Sequence, residues 1–225
     1  MSQHAEMPDL HTHTFLSDGV LCPAELFARA EAAGVTAIAL TDHVDWATVE
    51  TTVPAIVKAC GKECAGGKLL ALPGAELTHV RPSQISELAE RCRQLGARII
   101  LVHGETLVEP VPKGTNRAAI EAGVDVLAHP GMISEEEVAL AVDLGVRLEI
   151  SGRKGHCLTN GRVAKLALAA GAELTFGSDS HEPGNLCSRE MATKVLLGAG
   201  LDQAAADRVL DGGLRLLNSR SESGS

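Results

Sequence analysis

The sequence predicts an α/β fold in which seven parallel strands close, or nearly close, into a barrel, and three observations predict it. One phrase recurs along the 225 residues: a helical stretch ends in Gly, a short apolar run follows, and a His, Asp or Glu closes the run. Helical segments of suitable length separate the runs, an alternation that means βαβ units and a parallel sheet. Polar residues end nearly every run, whereas an open doubly wound sheet gathers its functional groups at one switch point.

The elements follow in order. Residues 8–13 open as a strand, and 23–33 read as a helix ending at Gly34. The next strand, 35–40, leads into Thr41-Asp42-His43, and the third, 68–76, ends at Glu76. A helix over 83–95 stops at Gly96, and the strand 99–102 runs into His103. Strands 124–128 and 146–150 follow Gly123 and Gly145, with a helix over 135–144 between them. A helix over 162–170 stops at Gly171, and 173–176 is the last strand. Each of these glycines suits the position just past a helix end, where a left-handed residue is wanted. The runs are short and largely apolar, as strands covered on both faces are. At this length one domain over 1–225 is expected, with a core of about 7–217 and a frayed polar tail over 218–225.

Hydrophobic residues make up 45% of the chain but aromatic ones only 2%, and Tyr is absent, so Ala, Val, Leu and Ile must fill the interior. Lys+Arg 20 against Asp+Glu 29 gives −9, which argues against a surface built to hold nucleic acid. A small anionic substrate stays compatible, because carboxylates that hold dications make their own site locally positive. No apolar run approaches the length of a membrane span, and no apolar segment of a secretory signal opens the chain. The six cysteines (Cys22, Cys60, Cys64, Cys92, Cys157, Cys187) read as free thiols in a reducing cytoplasm. Cys60 and Cys64 stand four apart, a weak zinc signal without a second pair nearby.

His11-Thr12-His13 can aim two imidazoles at one ion, because residues i and i+2 of an extended strand point the same way. Ser17-Asp18-Gly19 adds a carboxylate in a turn, His43 follows the second strand and Glu76 ends the third. His103, His129, Asp179 and His181 come from later strand ends. Singly, each has a plain structural explanation: a buried His is more often a hydrogen-bonded core residue than a ligand, and Asp18 or Asp179 can hold a turn. On a barrel, however, all nine share the C-terminal face. That convergence points to a centre of divalent cations.

The order of these motifs resembles the PHP family, named for DNA polymerases and histidinol phosphatases. The motifs stand as Asp9-Leu10-His11-Thr12-His13 with Ser17-Asp18-Gly19, Thr41-Asp42-His43, Gly74-Ala75-Glu76, Val102-His103-Gly104, Ala128-His129-Pro130-Gly131 and Gly177-Ser178-Asp179-Ser180-His181. They run from Asp9 to about Asn185. The resemblance implies a distorted seven-stranded (β/α) barrel and phosphoester hydrolysis with two to three metal ions. By resemblance, His11, His13, Glu76 and Asp179 hold the first ion, and Glu76 bridges to a second held by His103 and His129. Asp18, His43 and His181 hold the third. Mixed imidazole and carboxylate ligation fits Zn, Mn or Fe better than Mg alone. Paired ions lower the pKa of a shared water and neutralise phosphate oxygens, so no Ser or Cys nucleophile is required. Glu76 and Asp179 are then catalytic as ligands, and His43 or His181 can assist the leaving alkoxide.

Around this set, Asp42 is expected to orient a ligand His, and Glu149 to accept a hydrogen bond or meet substrate. Arg153, Lys154 and His156, in and just past the Gly-rich stretch after the sixth strand, are candidates to meet a substrate phosphate, with Arg117, Lys113 and Arg189 weaker ones. His79 is read as a loop residue and His4 as part of a mobile terminus. The leading expectation is hydrolysis of a small phosphate monoester such as histidinol phosphate or a nucleotide. A 3′–5′ exonuclease, an amidohydrolase-type hydrolase and a barrel without activity are the alternatives. Oligomeric state leaves no mark in the sequence.

Overall fold

The computed structural model describes residues 6–63 and 67–222. In chain order the elements are β1 (Pro8–Thr12), α1 (Pro23–Ala32), β2 (Ala37–Leu40), β3 (His43–Val44), α2 (Val49–Glu63), β4 (Leu70–Leu77), α3 (Ile85–Gln94), β5 (Ile99–His103), α4 (Thr115–Glu121), β6 (Val126–Ala128), α5 (Glu135–Leu144), β7 (Arg147–Ser151), α6 (Asn160–Ala170), β8 (Leu174–Gly177), α7 (Arg189–Gly198) and α8 (Gln203–Glu222). The seven long strands pair in parallel in the order β1-β2-β4-β5-β6-β7-β8, and the two-residue β3 extends β2's place beside β4. All seven coincide with predicted runs to within a few residues.

The sheet nearly closes on itself. His13 N donates to Ser180 O (2.8 Å) and Asp179 N to His11 O (2.9 Å), joining β1 to the segment after β8. The β1–β2 register slips between Asp9 and Thr12, which face Ile38 and Leu40, so three steps along β1 meet two along β2. A bulge of this kind re-aims side chains at a strand end. Here it falls at His11. The five glycines read as helix stops, Gly34, Gly96, Gly123, Gly145 and Gly171, all have positive φ.

Two apolar layers hold the barrel. Outward residues such as Ile38, Leu77, Ile100, Val102, Leu127, Leu148 and Phe176 pack under the helices. Inward residues Leu10, Ala37, Ala39, Leu72, Ile99, Leu101, Val126 and Ala128 fill the lumen together with Leu216 and Leu217 of α8. The last helix therefore plugs the end of the barrel opposite the site. Asp202 Oδ1 caps its start by accepting from Ala205 N (2.7 Å). Gly213 lies so close to β1 that a Cβ there would stand 2.8 Å from Leu10 Cδ1. Arg98 donates to Ser221 O (2.7 Å), and Arg220 pairs with Asp125 (2.5 Å), which ties the helix end to the loops entering β5 and β6.

Three expectations change. Residues 218–222 are not a frayed tail but the last turn of α8; 223–225 lie outside the described residues. The helices α2, α4, α7 and α8 were not among the predicted ones. The predicted helix 83–95 begins as a single 3₁₀ turn, Pro82–Gln84, before α3. His4 and Cys64 fall outside the described residues, so neither the terminal reading nor the Cys60 and Cys64 pair is addressed. Cys22, Cys92, Cys157 and Cys187 are free thiols. Among the described residues no helix is long and apolar enough to cross a membrane.

The plug has a measurable consequence. Leu217 is fully buried, so Leu217→Ala should cost about 2–5 kcal/mol in urea unfolding followed by circular dichroism. Leu168→Ala on the exposed face of α6 should change stability by no more than about 0.5 kcal/mol.

Candidate metal centre

All eight described histidines lie at the C-terminal end of the barrel, brought there by seven strand ends and their loops. At the centre is Glu76, fully buried at the end of β4. Its Oε2 lies 3.4 Å from His11 Nε2, 3.6 Å from His13 Nε2 and 2.8 Å from His43 Nδ1, and its Oε1 lies 3.5 Å from His129 Nε2. Asp179 faces the same imidazoles: Oδ1 is 3.4 Å from His13 Nε2 and Oδ2 is 3.7 Å from His129 Nε2. Toward the mouth, Asp18 Oδ1 lies 3.4 Å from His43 Nε2 and 3.1 Å from His181 Nε2. His13, Asp18, His43 and His181 thus form one donor group, and His11, His13 and Asp179 another.

Local backbone chemistry builds this geometry. A Cβ on Gly177 would stand 2.6 Å from His11 Cβ and 2.9 Å from Glu149 Oε2, so only glycine leaves room for that pair. His79, His129 and Asp179 are the non-glycine residues with positive φ among those described, at 54°, 28° and 52°. Such conformations cost about 1–3 kcal/mol each and cluster where function demands them.

The second nitrogens of several imidazoles are also engaged. Glu149 Oε2 accepts from His11 Nδ1 at 2.7 Å, and since a carboxylate only accepts, the proton sits on Nδ1 and Nε2 faces the well. The Gly104 carbonyl does the same for His103 Nδ1 (3.2 Å). Yet Nε2 of His11, His13 and His181, Nδ1 of His13 and His129, and Oε1 of Glu76 are buried without a hydrogen-bond partner among the described residues. Unpaired buried nitrogens and carboxylate oxygens facing one another are what a cation satisfies.

The charges are mutually set. Burial opposes ionisation of Glu76, but His11 and His43 hold its carboxyl well below the usual range. Burial opposes charge on His43 too, yet Glu76 and Asp18 raise it to about 10. His11 is raised against its burial by Glu149, Glu76 and Asp179. His13, wholly buried beside His43, is pushed down to about 3.

The remaining predicted residues divide. Arg153 is brought to the centre: Nη1 donates to Asp179 O (3.1 Å) and touches His181 Nδ1. His156 is buried against His129, ring centroids 4.1 Å apart. Asp42 serves the loop rather than an imidazole: it accepts from Thr14 N (2.7 Å) and Ser17 Oγ (2.8 Å), which fixes the turn presenting Asp18. Arg117 and Arg189 are not brought in, being paired with Glu121 on α4 and with Asp207 on α8. Lys154 and Lys113 are exposed, and neither lines the site's cavity. The sequence reading missed the part of Glu109, whose carboxylate lies 3.2 Å from His103, 3.4 Å from His79 and 3.4 Å from His156. A cavity of about 500 Å³ opens here, lined among others by Asp18, His43, His79, Glu109, Arg153 and His181.

Fold and site together define a parallel barrel with an imidazole–carboxylate centre at its C-terminal face. Residues 9–130 match the PHP domain family, and the chain belongs to it. The family's last motif, Gly177 to His181, lies beyond the matched stretch, but the barrel closes it onto His11 and His13. An uncharacterized protein of Methanocaldococcus jannaschii is 42% identical over 90% of this chain and 94% of its own. A probable phosphatase of Shewanella oneidensis is 30% identical over 84% and 81%. Among solved structures, a chain of archaeal ribonuclease P with mature tRNA superposes with a TM-score of 0.72 at 15% identity, covering 95% of this chain and 91% of that one. Histidinol phosphate phosphatase of Lactococcus lactis, complexed with zinc, histidinol and phosphate, gives 0.62 at 16% identity, covering 88% and 95%. At these identities the two structures show the fold.

Two outcomes are expected. Glu149→Ala removes the acceptor of His11 Nδ1 and should weaken cation binding roughly 10–100-fold in chelator competition. Because Glu76, Glu149 and Asp18 keep protons on His11 and His43 at neutral pH, a cation must displace them. Loading should release protons into a weakly buffered solution, and affinity should rise at least about tenfold per pH unit on raising pH toward 10.

Proposed function

We propose that the chain is a metal-dependent phosphoesterase acting on a small phosphate monoester. The observation that carries this is that Nε2 of His11, His13 and His181 and Oε1 of Glu76 are buried at one barrel end without a hydrogen-bond partner among the described residues. His11, His13, Glu76 and Asp179 would hold one ion, His103 and His129 with Glu76 a second, and Asp18, His43 and His181 a third. This donor chemistry suits Zn, Mn or Fe. Such ions lower the pKa of a water and neutralise phosphate oxygens.

The chain's own groups supply the rest. Arg153, the guanidinium lining the cavity, is placed to take a phosphate oxygen. His43, whose Nε2 faces Asp18 at the mouth (3.4 Å), can give a proton to a leaving alkoxide when no third ion is held. Asp42 keeps the Asp18 turn in reach of both imidazoles. A 500 Å³ cavity fits a small ester, and the −9 charge suits no extended polyanion. The relatives named probable phosphatase support the reading. Glu76 at the bridging position, where amidohydrolase barrels commonly use Lys, speaks against amide hydrolysis.

Protein reloaded with Zn, Mn or Fe should release phosphate from a panel of histidinol phosphate, nucleoside monophosphates and sugar phosphates. Asp179→Asn should lower the rate at least about 100-fold. Arg153→Ala should lower kcat/KM roughly 10–100-fold, the loss of a charge-assisted hydrogen bond worth about 1.5–3 kcal/mol. No release with any of the metals would overturn the assignment, and degradation of a labelled single strand without monoester cleavage would move it to a nuclease.

A further inference from the structure

Two side chains on one side of the centre, His156 and Glu109, are not explained by the ligand set above. His103 and His129 leave β5 and β6, His156 lies on the 3₁₀ turn His156–Thr159 after β7, and Glu109 lies in the loop after β5. One nitrogen each from His103, His129 and His156 lies within 4.8 Å of the others. Glu109 spans the group, with Oε2 3.2 Å from His103 Nε2 and Oε1 3.4 Å from His156 Nε2. We propose that His156 joins His103, His129 and Glu76 around the second ion, and that the Glu109 carboxylate is a further, exchangeable ligand there, displaced when a phosphate oxygen binds. The proposal rests on the metal-centre reading and specifies how that centre meets its substrate.

His156 has the wiring of a ligand. Thr106 Oγ1 engages its Nδ1 at 2.8 Å, which leaves Nε2 to face the well, as the Gly104 carbonyl does for His103. The loop bearing it is fixed rather than loose: Asn160 accepts from Ser151 N (3.1 Å) and donates to Ser151 O (2.8 Å), bracing the segment between. With Glu76 also 3.5 Å from His129, three imidazoles and two carboxylates would surround one ion, and one of these donors would have to leave for a phosphate oxygen to enter.

Exposure identifies that member. The imidazoles are 2–4% exposed, whereas the Glu109 side chain is 37% exposed on a surface loop. The loop's ends are anchored, because Glu105 Oε1 accepts from Gly114 N (2.9 Å) and Asn116 N (3.1 Å). Residues between these anchors can shift while the strand ends stay in place. Carboxylate and phosphate are both anionic oxygen donors, so a phosphate oxygen can take the carboxylate's place. Glu109 has a second seat ready: His79 Nε2 is 3.4 Å from its Oε2.

The test uses full-length protein stripped by chelator and reloaded with cobalt, with bound metal counted by mass spectrometry and coordination followed by visible absorption. His156→Ala should weaken binding of one ion roughly 10–100-fold and leave the rest at wild-type affinity. Glu109→Gln should keep the metal count, shift the cobalt spectrum in the absence of phosphate, and bind inorganic phosphate about tenfold more tightly. Full metal affinity in His156→Ala would overturn the imidazole assignment. Unchanged or weaker phosphate binding in Glu109→Gln would overturn the exchange. A variant that loses every ion and melts early has misfolded; Thr106→Val, which frees His156 Nδ1 without removing Nε2, then decides by losing the same ion or none. These readouts need no turnover, so a failed search for phosphoester hydrolysis with metal binding intact would count against the enzyme assignment alone.

Discussion

Glu76 is the group on which the arrangement turns. A fully buried carboxylate ringed by four imidazoles cannot be solvated, and it stays ionised only because His11 and His43 hold charge beside it. Those imidazoles in turn keep their protons because of Glu76 and the carboxylates behind them, Glu149 and Asp18. Removing Glu76 would leave the charge on fully buried His11 less compensated, at a cost of several kcal/mol. A cation relieves the same constraint by replacing the protons with a single positive centre.

The opposite end supplies the stability. Small residues at Ala37, Ala39 and Ala128 narrow the lumen's wall and leave space that strands alone do not fill. Leu216 and Leu217 fill it from below. The barrel is thereby divided between an apolar half sealed by α8 and a polar half given to the candidate ligands. Polar groups lie at that boundary as well: Asp9, fully buried on β1, accepts from Ser178 N (2.9 Å) and links the first strand to the last. Burial raises its carboxyl to about 6.

What was legible in the sequence was local or periodic. The five glycines announce helix ends because a left-handed backbone is a property of the residue itself. The nine ligand candidates were legible because strand ends of a parallel barrel share one face, so topology alone brings them together. Long-range pairings were not. Glu149 lies 138 residues from His11, and Thr106 lies 50 from His156, and nothing in either's neighbourhood announces the partner. Arg117 looked like Arg153 as a sequence, a basic residue after a strand; an acidic neighbour four residues on along α4 took it to the surface. The plug was invisible because its leucines read like those of any amphipathic helix.

Strain completes the connection between the two halves. His79, His129 and Asp179 hold positive φ without being glycine, each at about 1–3 kcal/mol. Each would relax if its strand end were free to move, and the candidate ligands His129 and Asp179 would swing out of reach. The close approach at Gly131, where a Cβ would stand 1.8 Å from Glu105 O, locks the loop after β6 against the loop after β5. Closure of β1 onto Asp179 and Ser180 does the same for the last motif. The ligand end can be strained because its backbone is over-determined by these contacts, and they hold because the lumen beneath is filled. A cavity opened at Leu217 should therefore be felt first as reduced cation affinity at the other end of the barrel, before the fold is lost.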